Sequence, residues 1–331
     1  MYFEPSYFNA EDRDGFHIRS MIKRSWAVQL EILHQIDTIC KRHNLMYYAE
    51  CGTLLGAVRH NGFIPWDDDL DIGMRRVDYT RFIHYAKTEL PEGYFVTNVH
   101  SNTNHSQLIG RVLNSQSMST NPEHLQKFHG FPYIAGVDIF ITDNIPKNKN
   151  EENLQLELLG AVNSLGLHWN DNSENKEDNN EISSQDPESI ENISLEEKME
   201  LVKQIEELCR VKLDPNASIR QQLLVLSDRI CAMYWDDEPD EVSLLPDLAR
   251  NREFRFPIEC YSSTIDIPFE NTTIPVPVGY DYILRKRYGE NYMTPIQCTS
   301  SHEYPFFRSQ EDVLFHEYEK KNWKIPSYLK E

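Results

Sequence analysis

A chain of 331 residues with 40% hydrophobic and 11% aromatic side chains has material for one large core or two modest ones. Its 53 acidic against 33 basic residues give a formal net charge of −20, a balance that argues against a protein that tracks nucleic acid or an anionic lipid surface. An anionic substrate would need local cations or a bound metal to be held.

The six cysteines (Cys40, Cys51, Cys209, Cys231, Cys260 and Cys298) are scattered without a C-x-x-C pair. That spacing predicts reduced thiols in a cytosolic protein rather than a disulfide framework or a structural zinc site. The opening MYFEPSYFNAEDRDGF lacks a charged-then-apolar leader pattern, and no apolar run approaches the roughly 20 residues that span a bilayer. The expectation is a soluble, cytoplasmic protein with no transmembrane segment.

After a short arm, Ile22, Trp26, Leu30, Leu33, Ile36 and Cys40 recur at helical spacing, predicting an amphipathic helix over 20–43 that Asn44 ends. LMYYAE reads as a short strand, and GTLLGAV as a glycine-led turn into a short helix. Asn61-Gly62 is a turn and Asp69 to Met74 the next strand. RVDYTRFIHYAKTEL is helical and stops before Pro91, and YFVTNVH, LIGRVLN and YIAGVDIFITD read as strands. Beyond Pro146 the character changes. Residues 170–192 are rich in Asn, Glu and Ser and too poor in apolar residues to offset their ordering entropy, so a disordered acidic loop is expected there. Helical patterns resume at 194–213 and 218–235. TIDIPFENTTIPVP then supplies short strands, GYDYILRKRYG a helix, and a Pro- and aromatic-rich tail follows.

The chemistry concentrates in PWDDDLDIG. If residues 69–74 form a strand, Leu70, Ile72 and Met74 face one side while Asp69, Asp71 and Gly73 face the other. Two carboxylates about 6–7 Å apart along one strand face can reach one cation or a close pair of cations. Without such a counter-ion they would be costly at a half-buried position. Asp138 stands between Val137, Ile139 and Phe140 in a second apolar strand and is the third candidate ligand. Oxygen-only ligands suit Mg²⁺ or Mn²⁺. Of Asp67 and Asp68, one reads as a further ligand or base and the other as a solvated turn residue. A calcium loop counted from Asp67 would want glycine at Ile72 and glutamate at Asp78, and neither is present. Gly52-Thr53 could open a helix whose free amides face a phosphate, or simply turn strand into helix. Arg59 and His60 lie between that turn and the acids, and Arg111 in LIGRVL is either a phosphate contact or an ion-paired residue.

The stretch GTLLGAVRHNGFIPWDDDLDIGMRRVDYTRF closely resembles the signature of the LicD family, phosphotransferases of bacterial cell-surface polysaccharides related to fukutin and fukutin-related protein. LEILHQIDTICKRHNLMYYAE, GVDIFITD and IPFENTTIPVPVGYDYILRKRYGENYMTP resemble further family segments in the expected order. One departure is IFITDNIP, where family members usually carry an aliphatic-proline pair directly after the strand.

The resemblance implies an α+β fold: a nucleotidyltransferase-like mixed sheet flanked by helices, with a largely helical insertion and a C-terminal extension. The implied organisation is an arm at 1–19, a catalytic core at 20–145, a helical region at 146–235 carrying the acidic loop, and a C-terminal part at 236–331 that completes the domain. It implies Asp69, Asp71 and Asp138 as catalytic metal ligands, Gly52-Thr53 as the turn, and Asp71, Asp138 or Asp67 as base. Substrate contacts expected on that footing are Arg59 and Arg111, with Arg285 and Arg287 weaker, and His302. The aromatics Trp66, Tyr47 and Tyr304 are candidates to cage a quaternary ammonium. The implied reaction moves phosphocholine from CDP-choline to a sugar hydroxyl of teichoic acid, lipopolysaccharide or a capsule, with acceptors that include lipid-linked glycans at the inner membrane face. CDP-ribitol, CDP-glycerol or CDP-ethanolamine as donor, and a non-catalytic glycan- or nucleotide-binding module, are the rival readings.

Overall fold

The computed structural model describes residues 1–169, 193–297, 303–326 and 329; the acidic stretch at 170–192 and His302 lie outside the described residues. In chain order the elements are β1 (Glu11–Arg13), β2 (Phe16–Ile18), α1 (Ser20–His43), β3 (Tyr48–Ala49), α2 (Cys51–His60), β4 (Asp71–Arg75) and α3 (Arg76–Glu89). There follow β5 (Phe95–Thr97), β6 (Gly110–Leu113), α4 (Pro122–Lys127), β7 (Gly136–Asn144), α5 (Lys149–Leu167), α6 (Leu195–Cys209) and α7 (Ile219–Cys231). The chain ends in β8 (Glu241–Ser243), α8 (Leu245–Arg250), β9 (Phe256–Pro257), β10 (Thr264–Phe269), β11 (Thr272–Pro277), α9 (Tyr280–Tyr288) and α10 (Arg308–Lys320). The fold is α+β. No helix among the described residues is long and apolar enough to cross a membrane.

Contacts divide the chain into two units, one of Met1–Thr97, Ile109–Thr142 and Phe256–Glu331, the other of Asn98–Leu108 and Asp143–Arg255. The first holds a mixed sheet in the order β3-β4-β7-β6-β5. β4 runs parallel to β7, while β3 pairs antiparallel with β4 and β6 pairs antiparallel with both β7 and β5. The six apolar positions that announced α1 are each no more than 3% exposed. Ser25, Gln29, Val28 and Ile32 are equally buried, so α1 is covered on more than the one face that amphipathicity implies. Asn44 ends it in the left-handed conformation, φ 50°, its N–H bonded to the Cys40 carbonyl.

Two long-range ties shape the approach to the acidic stretch. Trp26 of α1 stacks on Phe63 with ring centroids 4.7 Å apart. Glu270, in the β10–β11 hairpin turn, accepts from Arg13 at 2.8 Å and from the Phe63 N–H at 3.3 Å. A Cβ on Gly62 would lie 2.4 Å from that carboxylate, so a larger residue there would displace Glu270 from the turn. The aromatic tail does not stay irregular. Phe307 is fully buried and stacks on Tyr133, and the Gln310 amide bonds both backbone groups of Ile134, seating α10.

In the second unit α5 packs on α7 around Leu156, Leu159, Val162, Leu223, Leu226 and Ile230. Arg255 binds Glu152 at 3.0 Å and Glu241 at 2.9 Å, and the last residues of β7, Asp143 and Asn144, pair with β8.

Candidate active site

Alternation works at β4 as the sequence implies. Leu70, Ile72 and Met74 are fully buried on one side. The strand proper begins at Asp71, not Asp69, although the ladder reaches Leu70, whose carbonyl accepts the Asp138 N–H at 3.1 Å. Asp69 therefore stands just ahead of the strand. Register places Asp71 directly beside Asp138 on β7, and Asp138 directly beside Arg111 on β6. A row of acid, acid and arginine thus crosses three neighbouring strands, spaced by the usual interstrand distance of about 4.8 Å. Asp71 is 8% exposed. Burial first, then the charges of Asp69, Asp138, Asp67 and Glu50, push its carboxyl well above the ordinary aspartate range.

The opposite wall is the first turn of α2. Cys51 enters it with φ 48°, a left-handed conformation that costs a non-glycine residue about 1–2 kcal/mol. Thr53 Oγ1 accepts the Asp71 N–H at 2.8 Å, fastening turn to strand. A Cβ on Gly52 would stand 2.5 Å from Asp67 Oδ2, so a larger residue there would push that carboxylate away from the turn. On the same face of β4 as Asp71, Gly73 gives its space to Tyr48, whose Cε2 lies 2.3 Å from where a Cβ would be. The acidic loop is fixed from α1: the Trp26 indole donates to the Asp67 carbonyl at 3.2 Å and Gln29 to the Asp68 carbonyl at 2.7 Å.

Among the described residues, Asp67, Asp68 and Asp69 are the acids whose carboxylate oxygens come within 4.8 Å of one another. Asp71 adjoins them, whereas Asp138 turns its oxygens to Arg111, which donates from Nε to Oδ1 and from Nη2 to Oδ2, the latter at 2.6 Å. Asp68 corrects an expectation. It is not a solvated turn residue: Asp68 is fully buried and accepts the Phe306 N–H at 2.6 Å, while Asp67 is half-buried. Asp68→Ala is expected to lose about 1–3 kcal/mol by orphaning that N–H, read as a lower melting temperature, while Asp68→Asn, still an acceptor, should keep most of it. The calcium-loop alternative also fails, because residues 71–78 form strand and helix.

Arg59 donates to the Tyr292 carbonyl at 2.9 Å and lies along α2. Trp66 meets Phe16 and His60 edge-on, Tyr304 meets Phe16, and Tyr47 donates to Asp37 of α1 at 3.1 Å. Arg285 does not turn toward the aspartates: it is exposed and paired with Asp281 and Glu290. Arg287 is the α9 arginine that reaches this wall, pairing at 3.2 Å with Glu50, which is fully buried and N-caps α2. Glu50 escaped the sequence reading. Its signal was an acid immediately before a glycine-led helix start.

A family model for the LicD/FKTN/FKRP nucleotidyltransferase domain matches residues 44–153. Over that third of the chain the sequence is similar to LicD-family domains. The match spans β3 to β7 and so contains Glu50, Gly52, Thr53, Arg59, Asp67 to Asp71, Arg111 and Asp138, but not Arg287. Over 126 residues the chain is 31% identical to the lipopolysaccharide cholinephosphotransferase LicD of Haemophilus influenzae, an overlap covering 38% of this chain and 45% of that protein. An uncharacterized protein of Rickettsia typhi is 46% identical over 65 residues, 19% of this chain and 21% of its own. One of Rickettsia prowazekii is 48% identical over 48 residues, 14% and 18% respectively. The chain thus spans less than half the length of each of these relatives.

Proposed function

We propose that the chain is a metal-dependent phosphotransferase that moves a phosphorylated alcohol, phosphocholine from CDP-choline in the first instance, to a sugar hydroxyl of a lipopolysaccharide-type or other cell-surface glycan. The observation that carries this reading is the juxtaposition of Asp71 with Asp138 across the parallel β4–β7 pair, facing the α2 turn. The donor set is oxygen-only and crowded with negative charge, which suits Mg²⁺ or Mn²⁺. Asp69, Asp71 and Asp138 would hold the cation, which supplies charge neutralisation for a diphosphate. The first-turn amides of α2 receive phosphate oxygens, as helix N-termini do, and Arg111 and Arg59 supply further positive charge. Asp67, only partly buried at the mouth of the row, takes the acceptor hydroxyl proton. A bond then forms between the sugar oxygen and the distal phosphorus while the bond to the CMP oxygen breaks, CMP leaving as the anion. The H. influenzae relative, a cholinephosphotransferase acting on lipopolysaccharide, supports both cargo and acceptor class. The reading places the chain in the cytoplasm, peripheral to the membrane where acceptors are lipid-linked.

Purified protein incubated with CDP-choline, CDP-ethanolamine, CDP-ribitol and CDP-glycerol in Mg²⁺ and acceptor glycan should release CMP fastest from CDP-choline. Release from another CDP-alcohol alone changes the cargo, and release from none sinks the reading. Gly52→Ala, which drives a Cβ into Asp67, should lower turnover roughly tenfold or more with little change in melting temperature.

A further inference from the structure

We propose that Arg111 and a divalent cation compete for Asp138, so that entry of the cation transfers the guanidinium from Asp138 to the donor's phosphate. This rests on the metal-dependent reading above. Arg111 and Asp138 face each other in register, with Asp71 on the far side of Asp138. Both donor prongs of the guanidinium take one carboxylate oxygen each, the two-pronged geometry that occupies the lone pairs lying between the oxygens. A dication sharing Asp138 would stand beside a full positive charge, and at that range in a partly buried site the two repel strongly. The arginine is placed for this by the backbone beneath it. Gly136 shares the face of Asp138, and a Cβ there would lie 3.0 Å from Arg111 Cγ and Cδ, so glycine leaves room for the stem to lie across the sheet.

Arg111 also has somewhere to go. Its side chain is 36% exposed against 21% for Asp138, and a phosphate offers the same planar pair of acceptors that it gives up. Cation alone must displace the arginine without recompense. Cation and diphosphate together exchange one fork for another. The row would therefore bind cation weakly until a donor arrives, which couples metal occupancy to substrate.

The test is an electron paramagnetic resonance titration with Mn²⁺, without and with CDP, on wild type and Arg111→Gln. In the absence of CDP, Arg111→Gln should bind Mn²⁺ roughly fivefold or more tightly than wild type. CDP should tighten Mn²⁺ binding to wild type by roughly tenfold and to Arg111→Gln far less. If wild type binds Mn²⁺ and Arg111→Gln binds it equally or more weakly, the competition is wrong while the metal-dependent reading stands. If neither binds Mn²⁺ with or without CDP, that reading fails and takes the competition with it. Should Arg111→Gln not fold, Arg111→Lys carries the same test: an amine cannot hold both oxygens, so a smaller gain in Mn²⁺ affinity is expected, and equality with wild type overturns the proposal.

Discussion

Asp71→Asn is expected to abolish CMP release, by roughly three orders of magnitude or more, while leaving the protein as stable as wild type or more so. The two halves of that result come from one arrangement. Asp71 is buried between Asp69 and Asp138, with Asp67 and Glu50 close behind, and its carboxyl is pushed well above the usual range. In the protein alone, keeping that group charged opposes folding. Asparagine preserves the shape and removes the charge, so the melting temperature should hold or rise. What it cannot do is offer a carboxylate to a cation at the centre of the row. Stability and activity moving in opposite directions is the signature of a site whose strain serves function. A parallel fall in both would instead mean that Asp71 holds the fold, and the catalytic assignment would then need another residue. Thermal denaturation and CMP release on the same preparation decide it.

Much of this site was legible because it is built from periodicity. A strand period of two sorts Asp69 and Asp71 from Leu70 and Ile72, and an acid within Val137-Asp138-Ile139 asks for a reason to be there. The same logic exposed Arg111, and the helical period marked α1, α3 and α9 closely. What escaped lies between segments far apart in sequence. Nothing local in the tail shows that the Phe306 amide will meet Asp68, so Asp68 and its neighbour could not be told apart. The tail itself read as irregular because α10 is anchored chiefly by Phe307 and Gln310 rather than by an apolar stripe. Local patterns encode faces, but partners across the fold are encoded only jointly.

The α9 arginines make the same point with a measurable consequence. Arg285 and Arg287 are two residues apart, which on a helix turns them about 200° from each other. One therefore faces water and the other the wall of the site. Arg285 is exposed with Asp281 at 2.7 Å, and Arg285→Ala should leave the melting temperature unmoved. Arg287 has a side chain 10% exposed, lies over the Phe256 ring at 5.4 Å and pairs with a glutamate that water does not reach. Removing one partner of such a pair strands the other's charge, so Glu50→Ala and Arg287→Ala should each cost about 3–5 kcal/mol, seen as a large drop in melting temperature. Replacing both, as Glu50→Leu with Arg287→Met, should recover most of the loss, because two apolar side chains need no compensation in a dry position. If the double variant is as unstable as the sum of the singles, the pair is not coupled and α9 is held by other contacts. If it recovers stability yet releases CMP slowly, the carboxylate that caps α2 does more than hold the wall: it sets the turn at Gly52 and Thr53 against Asp71, which would extend the working site beyond the 44–153 match to α9.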